Sequence, residues 1–251
     1  MQLSRGHIAA SPAHVFPPWR AAQRAVDRLA RRSPPAPCVL RTTGFLQPEL
    51  AERITDWFTG KPTAPAAAVR SSYQALEHET AGLFESVLRP AALGGLGVSV
   101  RPGVGGMPYY GAAELCAELR ERRTLTLTTF GMTTPDQPHP LLGGAIGGVP
   151  DQLRVVHDVF GHAALGVGFD LQSEFATWLQ CRTLFSRDAG RAAFCELIGA
   201  VTTYVMTGER PPLHADLPPA ELVAAFDAYG MGMSAATSVP PPAGLSIRSR
   251  P

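Results

Sequence analysis

The sequence predicts a single, predominantly helical α+β domain with a small sheet, its metal site held between consecutive helices, and three observations lead there. Apolar residues recur at helical spacing over long segments, most clearly at Leu76, Leu83, Phe84 and Val87 around Thr80. Only two short runs read as strands: Gly97-Val98-Ser99-Val100, and Leu125-Thr126-Leu127-Thr128-Thr129-Phe130, where apolar residues alternate with Thr. The chain has 251 residues, of which 45% are hydrophobic and 17% charged, enough for one domain with a sizeable core.

Taken in order, residues 1–40 read as an N-terminal helical arm, with an Arg- and Ala-rich amphipathic helix from Ser11 to Pro37 closed by Ser33-Pro34-Pro35-Ala36-Pro37. Residues 41–237 form the metal-binding catalytic domain. It opens with a short helix from Pro48 to Thr59, a linker rich in Pro and Ala from Gly60 to Ala68, and a helix from Tyr73 to Leu88. The two strands flank a helix from Gly111 to Arg122. Pro135 to Gly148 is a Pro/Gly loop, and its His139 is read as a loop residue. Further helices follow near 151–161, 169–185, 192–206 and 217–229, and residues 238–251 read as a disordered tail.

A net charge of +1 argues against a nucleic-acid or membrane-surface binder. The basic clusters at 28–32 and 120–123 read as solvated helix faces. No apolar run approaches the length of a membrane span, and Met1 to Ala10 lacks the apolar core of a signal peptide, which predicts a cytoplasmic protein. Cysteines 38, 116, 181 and 195 form no Cys-x-x-Cys pair, and Cys195 reads as core filler.

The chemistry concentrates in His157-Asp158-Val159-Phe160-Gly161-His162. Two imidazoles in an apolar helix suggest a metal, and two His with one carboxylate is the set used by non-haem Fe(II) oxygenases. Asp151 is read as the N-cap of this helix and Gly161 as its terminator. Residues five apart on an ideal α-helix point about 140° away from each other, so His162 is expected where the helix ends or distorts. The third ligand is sought in the next two helices. Glu196 stands in the window Ala192–Ala200 with no other charge, where an unpaired carboxylate is costly. Glu174 has Gln172, Ser173 and Gln180 near it, giving its helix a polar side.

Pro150-Asp151 followed by this His-acid-x-x-Gly-His block resembles the iron-binding signature of the pterin-dependent aromatic amino acid hydroxylases. The likeness covers about Pro150 to Met206. It implies that His157, His162 and Glu196 bind iron, and that Phe169 and Glu174 belong to the family's intermediate helix, with Glu174 an outer or alternative ligand. No Arg stands just upstream of Pro150-Asp151, where the family places one for the substrate carboxylate, so a modified or carrier-bound aromatic substrate is expected as readily as a free amino acid. Leu93-Gly94-Gly95-Leu96 has a faint likeness to the family's pterin-side loop, and no pterin is inferred from it.

The expected function is a non-haem iron monooxygenase acting with O2 on a small, aromatic, amino-acid-like molecule. Asp158 is expected to fix the tautomer of a ligand imidazole, with Phe160, Trp178 and Tyr204 as candidates for the pocket wall. Three alternatives stay open: a dinuclear iron centre using both Glu174 and Glu196, a zinc hydrolase with a Glu as general base, and a structural metal-binding domain.

Overall fold

The computed structural model describes residues 7–9, 24–25, 42–103, 106–127 and 136–226. Most of the expected helix from Ser11 to Pro37, the end of the second strand at 128–130, the last residues of the 217–229 helix and the 238–251 tail lie outside them. Two short strands, β1 (His7–Ala9) and β2 (Thr42–Gly44), pair antiparallel. Helix α1 (Pro48–Thr59) is followed by the long helix α2 (Ala66–Leu88). Strands β3 (Ser99–Pro102) and β4 (Thr124–Leu127) then pair in parallel, with Val100 opposite Leu125. Between them runs α3 (Ala112–Ala117), extended by a π-helical turn over Glu118–Arg122. This is the crossover that a parallel pair requires.

The C-terminal half is helical. Helix α4 (Val149–His157) passes directly into a π turn (Asp158–His162) and a last turn (Ala163–Leu165), and Gly166 ends it at φ +69°. Helix α5 (Leu171–Cys181) continues as a 3-10 turn, Arg182–Leu184. Helix α6 (Arg187–Phe194) leads through a third π turn, Cys195–Gly199, into α7 (Ala200–Thr207). A final helix, α8, covers 220–226. The result is a predominantly helical α+β domain with a small parallel sheet. Among the described residues no helix is long and apolar enough to cross a membrane.

Helix α2 is the central strut. Its stripe Val69, Tyr73, Leu76, Leu83 and Val87 is buried, as the spacing dictates, and packs on α6 and α4. A second core forms where α1 and α7 meet the back of α5, with Ile54, Phe175, Trp178, Phe194, Ile198 and Phe226 inside. Ala25, from the expected N-terminal arm, is buried in the first core, and Arg24 donates to the Gly94 carbonyl at 2.6 and 3.1 Å. These two residues therefore pack on the body.

The metal helix departs from its expected ends. Gly148 is the N-cap; Asp151 sits in the first turn, where its carboxylate accepts from the Gly147 N–H at 2.7 Å. Gly161 is not a terminator, because it lies inside the π turn with a helical turn still to follow. What it provides is space. A Cβ there would lie closer than 3.0 Å to Thr177 Cγ2 and 3.1 Å from Cys181 Sγ, so only glycine lets α5 approach this closely.

Candidate metal centre

The five-residue spacing of the two histidines is reconciled by the π turn. Ala163 N–H bonds to Asp158 O, an i→i+5 closure that adds one residue to the turn. The imidazoles of His157 and His162 thereby come together, ring centroids 4.6 Å apart at 82°. Turns of this type often mark functional sites. Their side chains are 10% and 0% exposed.

Opposite them stands Glu174, whose position is set by how α5 begins. Asp170 caps the helix, its carboxylate accepting from the Gln172 and Ser173 N–H groups at 3.0 and 3.1 Å. Gln172 clamps the Leu46 backbone with both ends of its amide, at 2.8 and 3.0 Å. Glu174 follows in the first turn with its side chain 13% exposed, Oε2 lying 3.2 Å from His157 Nε2 and Oε1 3.4 Å from His162 Nε2. Neither Nε2 atom makes a hydrogen bond of acceptable geometry, although both are buried. Buried polar atoms facing a carboxylate without a bond call for a cation between them, a proton or a metal ion.

The remaining nitrogens orient the two rings. His157 Nδ1 lies 3.2 Å from Asp158 Oδ1, a partner for an Nδ1–H, so that Nε2 is the nitrogen facing Glu174, protonated when no metal is bound and a lone-pair donor when one is. Thr177 Oγ1 is 3.3 Å from His162 Nδ1, and the Phe169 ring covers that imidazole at 4.7 Å. Burial by itself lowers the His157 pKa, but Asp158 and Glu174 overcome it and push the value up to about 9. Burial likewise raises a carboxyl, yet the two imidazoles hold Glu174 well below the usual range. A site so charged favours a cation strongly.

Ligand atoms of His157, Asp158 and His162 lie within 4.8 Å of one another, the cluster of three among the described residues with metal-binding geometry. Asp158 and Glu174 thus compete for the third position. Asp158 meets Nδ1 of His157 alone, as outer partners of metal-bound imidazoles do, whereas Glu174 meets Nε2 of both rings. By that contact pattern Glu174 is the stronger candidate for the third position, although the compact group of ligand atoms is His157, Asp158 and His162.

Glu196, the third ligand expected from sequence, makes different contacts. It lies on the third π turn, where Oε1 accepts from the Tyr73 hydroxyl and stands 3.1 Å from His139 Nε2. His139 is buried, stacked on Tyr73 at 5.4 Å, and its Nδ1 accepts from the Leu141 and Leu142 N–H groups at 3.2 and 3.0 Å. Because amides only donate, Nδ1 is unprotonated and Nε2 carries the hydrogen, although this Nε2, like those of His157 and His162, makes no hydrogen bond of acceptable geometry. Burial first, then Glu196, raises the Tyr73 pKa well above its ordinary value, so Tyr73 is a neutral donor. Burial also pushes the Cys195 thiol up, keeping it protonated.

Sequence reasoning missed Tyr73 and passed over His139. The one available signal was a histidine between two prolines in a short loop, which closes as a bridge from His139 to Gly143. Of the expected wall residues, Phe160 is buried in the first core, Trp178 lies in the second, and Tyr204 is 43% exposed on α7. No family model, curated protein or solved structure matches the chain.

Proposed function

We propose that the chain is a mononuclear non-haem iron monooxygenase, cytoplasmic, with a small aromatic, amino-acid-like substrate and O2 as its partners. One observation carries the reading: a mostly buried carboxylate, Glu174, faces two imidazole Nε2 atoms that make no hydrogen bond of acceptable geometry. His157, His162 and Glu174 would hold the ion. Two His and one carboxylate suit Fe(II), leave open positions and supply one-electron chemistry toward O2 when iron is bound.

The other residues have definite tasks. Asp158 holds the His157 tautomer that presents Nε2. Thr177 steadies His162 from the other side, and Phe169 keeps water from its face. Cys181, whose thiol pKa is pushed up by burial and then by Asp158 and Glu174, stays neutral beside the site. The Tyr73–Glu196–His139 group supplies a second, partly buried carboxylate, and the protonated Nε2 of His139 argues against a second metal bound through that imidazole.

The test is metal analysis of protein purified without added metal, then electron paramagnetic resonance of the iron form with nitric oxide. The reading expects close to one equivalent of metal and a nitrosyl signal, with O2 uptake across a panel of aromatic amino acids and their carrier-bound derivatives. Zinc-loaded protein should be inactive, because zinc has no accessible redox change. Hydrolysis by the zinc form with no O2 uptake by the iron form would replace the oxygenase with a hydrolase. Absence of any metal would leave His157 and Glu174 as an ion pair.

A further inference from the structure

Helix α5 meets the histidine pair on one side and the segment before α1 on the other. Its first turn carries both Gln172 and Glu174. Two positions along an α-helix differ by about 200°, so these side chains leave in nearly opposite directions. Glu174 goes to the imidazoles of His157 and His162. Gln172 goes to Leu46, accepting from its N–H at 2.8 Å and donating to its carbonyl at 3.0 Å, across 126 residues of chain. Leu46 is itself well held, because its side chain is buried in the second core with Leu50 and Ile54 of α1 and Phe175 of α5.

The first turn of a helix is the part its own ladder holds least, since its N–H groups have no partners within the helix. Asp170 accepts from the Gln172 and Ser173 N–H groups and from the Ser173 hydroxyl, bonds internal to the turn that set its shape. The bonds of Gln172 reach a different segment and set its place. An amide suits this task because it offers an acceptor and a donor at one tip, matching the N–H and C=O of a single residue. Binding groups must be held to about 0.5 Å by the residues behind them, so what fixes this turn also fixes the Glu174 carboxylate.

We propose that Gln172 is a positioning residue for the metal: its amide, paired with Leu46, holds the first turn of α5 where Glu174 meets both imidazoles. The inference rests on the reading of Glu174 as a ligand. Coupling between two sites is reciprocal, so metal binding must also tighten the docking of Leu46 on α5.

The experiment uses the full chain and its Gln172→Met variant, which keeps the side-chain length and loses both bonds, with Co(II) and Zn(II) as probes. In chelator competition Gln172→Met should bind Co(II) about tenfold more weakly, the lower end of the range for groups behind a metal ligand. The visible absorption bands of its bound Co(II) should shift, a change that lost stability alone would not produce. In the parent, Zn(II) should slow hydrogen exchange of the Leu46 amide several-fold, and more than that of the Gly60 amide just beyond the far end of α1. The Leu46 effect should vanish in Gln172→Met. Should the variant fail to fold, the parent's Leu46 exchange with and without Zn(II) carries the test. Equal Co(II) affinity with unchanged bands in the variant, or a Zn(II) effect on Gly60 as large as on Leu46, would overturn the proposal while leaving the metal site standing. A parent that binds neither ion would overturn both.

Discussion

Gly161→Ala tests the packing that brings Glu174 to the histidines. In a helix free of steric conflict this substitution stabilises by about 0.5–1 kcal/mol, because alanine has less backbone freedom to lose. Here the new methyl would stand closer than 3.0 Å to Thr177 Cγ2, 3.1 Å from Cys181 Sγ and 3.3 Å from Thr177 Cβ. Carbon contacts want about 3.5–4.0 Å, so α5 must back away from the π turn. Overpacking of this kind costs about 1–3 kcal/mol, which for a domain this size lowers Tm by roughly 2–12 °C. Glu174 lies one turn before Thr177 on the same helix, so metal affinity should fall with stability. Thr177→Ser removes Cγ2 while keeping the hydroxyl beside His162. The double variant should therefore recover about half the loss, with a coupling energy on the order of 1 kcal/mol from a double-mutant cycle in urea. A Gly161→Ala protein as stable as the parent, or a strictly additive double variant, would refute the close approach of α5.

Four further outcomes follow from the same geometry. Glu174→Ala should weaken metal binding by more than about 100-fold in a chelator competition, with Asp158→Asn in the roughly 10–100-fold range of an outer partner; if Glu196→Ala loses as much as Glu174→Ala, the ligand assignment reverts to Glu196. In metal-free protein, the raised His157 pKa means stability fully present below about pH 6.5 and lost as pH rises through about 9, by at most about 3 kcal/mol; urea titrations should show that slope, and saturating metal should abolish it. Tyr73→Phe leaves the Glu196 carboxylate short of a donor and should cost about 1–3 kcal/mol in the same assay; a neutral result would mean that Glu196 is solvated. Long-range proton–nitrogen NMR should find His139 as the Nε2–H tautomer, and an Nδ1–H pattern would contradict the amide bonds from Leu141 and Leu142.

The sequence reading recovered what repeats over many residues and missed what depends on a single added residue or a distant partner. The stripe along α2 was legible because five buried positions share one period. The small sheet was legible from its alternation, though not its parallel pairing, which needs a crossover helix placed in space. The π turns at Asp158–His162 and Cys195–Gly199 leave no compositional trace. Only the awkward spacing of the two histidines hinted at the first. Glu174 was discounted because polar neighbours gave its helix a solvent-facing look. Those neighbours are occupied instead: Gln172 holds the Leu46 backbone, Ser173 donates to Asp170 at 2.7 Å, and Gln180 is fully buried. Polarity in α5 reflects internal bonding, a distinction that local sequence does not encode.

Glu196 illustrates the complementary case. A charge-free window correctly implied that its carboxylate needs a partner, but the partners are Tyr73 and His139, one far upstream on α2 and one in a proline-flanked loop. Among the described residues two glutamates therefore face imidazoles at similar distances, Glu174 at 3.2 Å from His157 and 3.4 Å from His162, and Glu196 at 3.1 Å from His139. Their chemistry is opposite, and the far nitrogen of each imidazole decides it. Asp158 is placed to accept a hydrogen bond from Nδ1–H of His157, leaving Nε2 as the nitrogen for a cation; two backbone amides occupy Nδ1 of His139 and oblige Nε2 to keep its hydrogen. His157 can ligate a metal without losing any other bond, whereas His139 would first have to give up the amides that fix its loop. Separation of the two carboxylates into a metal-facing and a hydrogen-bonded role thus rests on backbone geometry at residues 139–142.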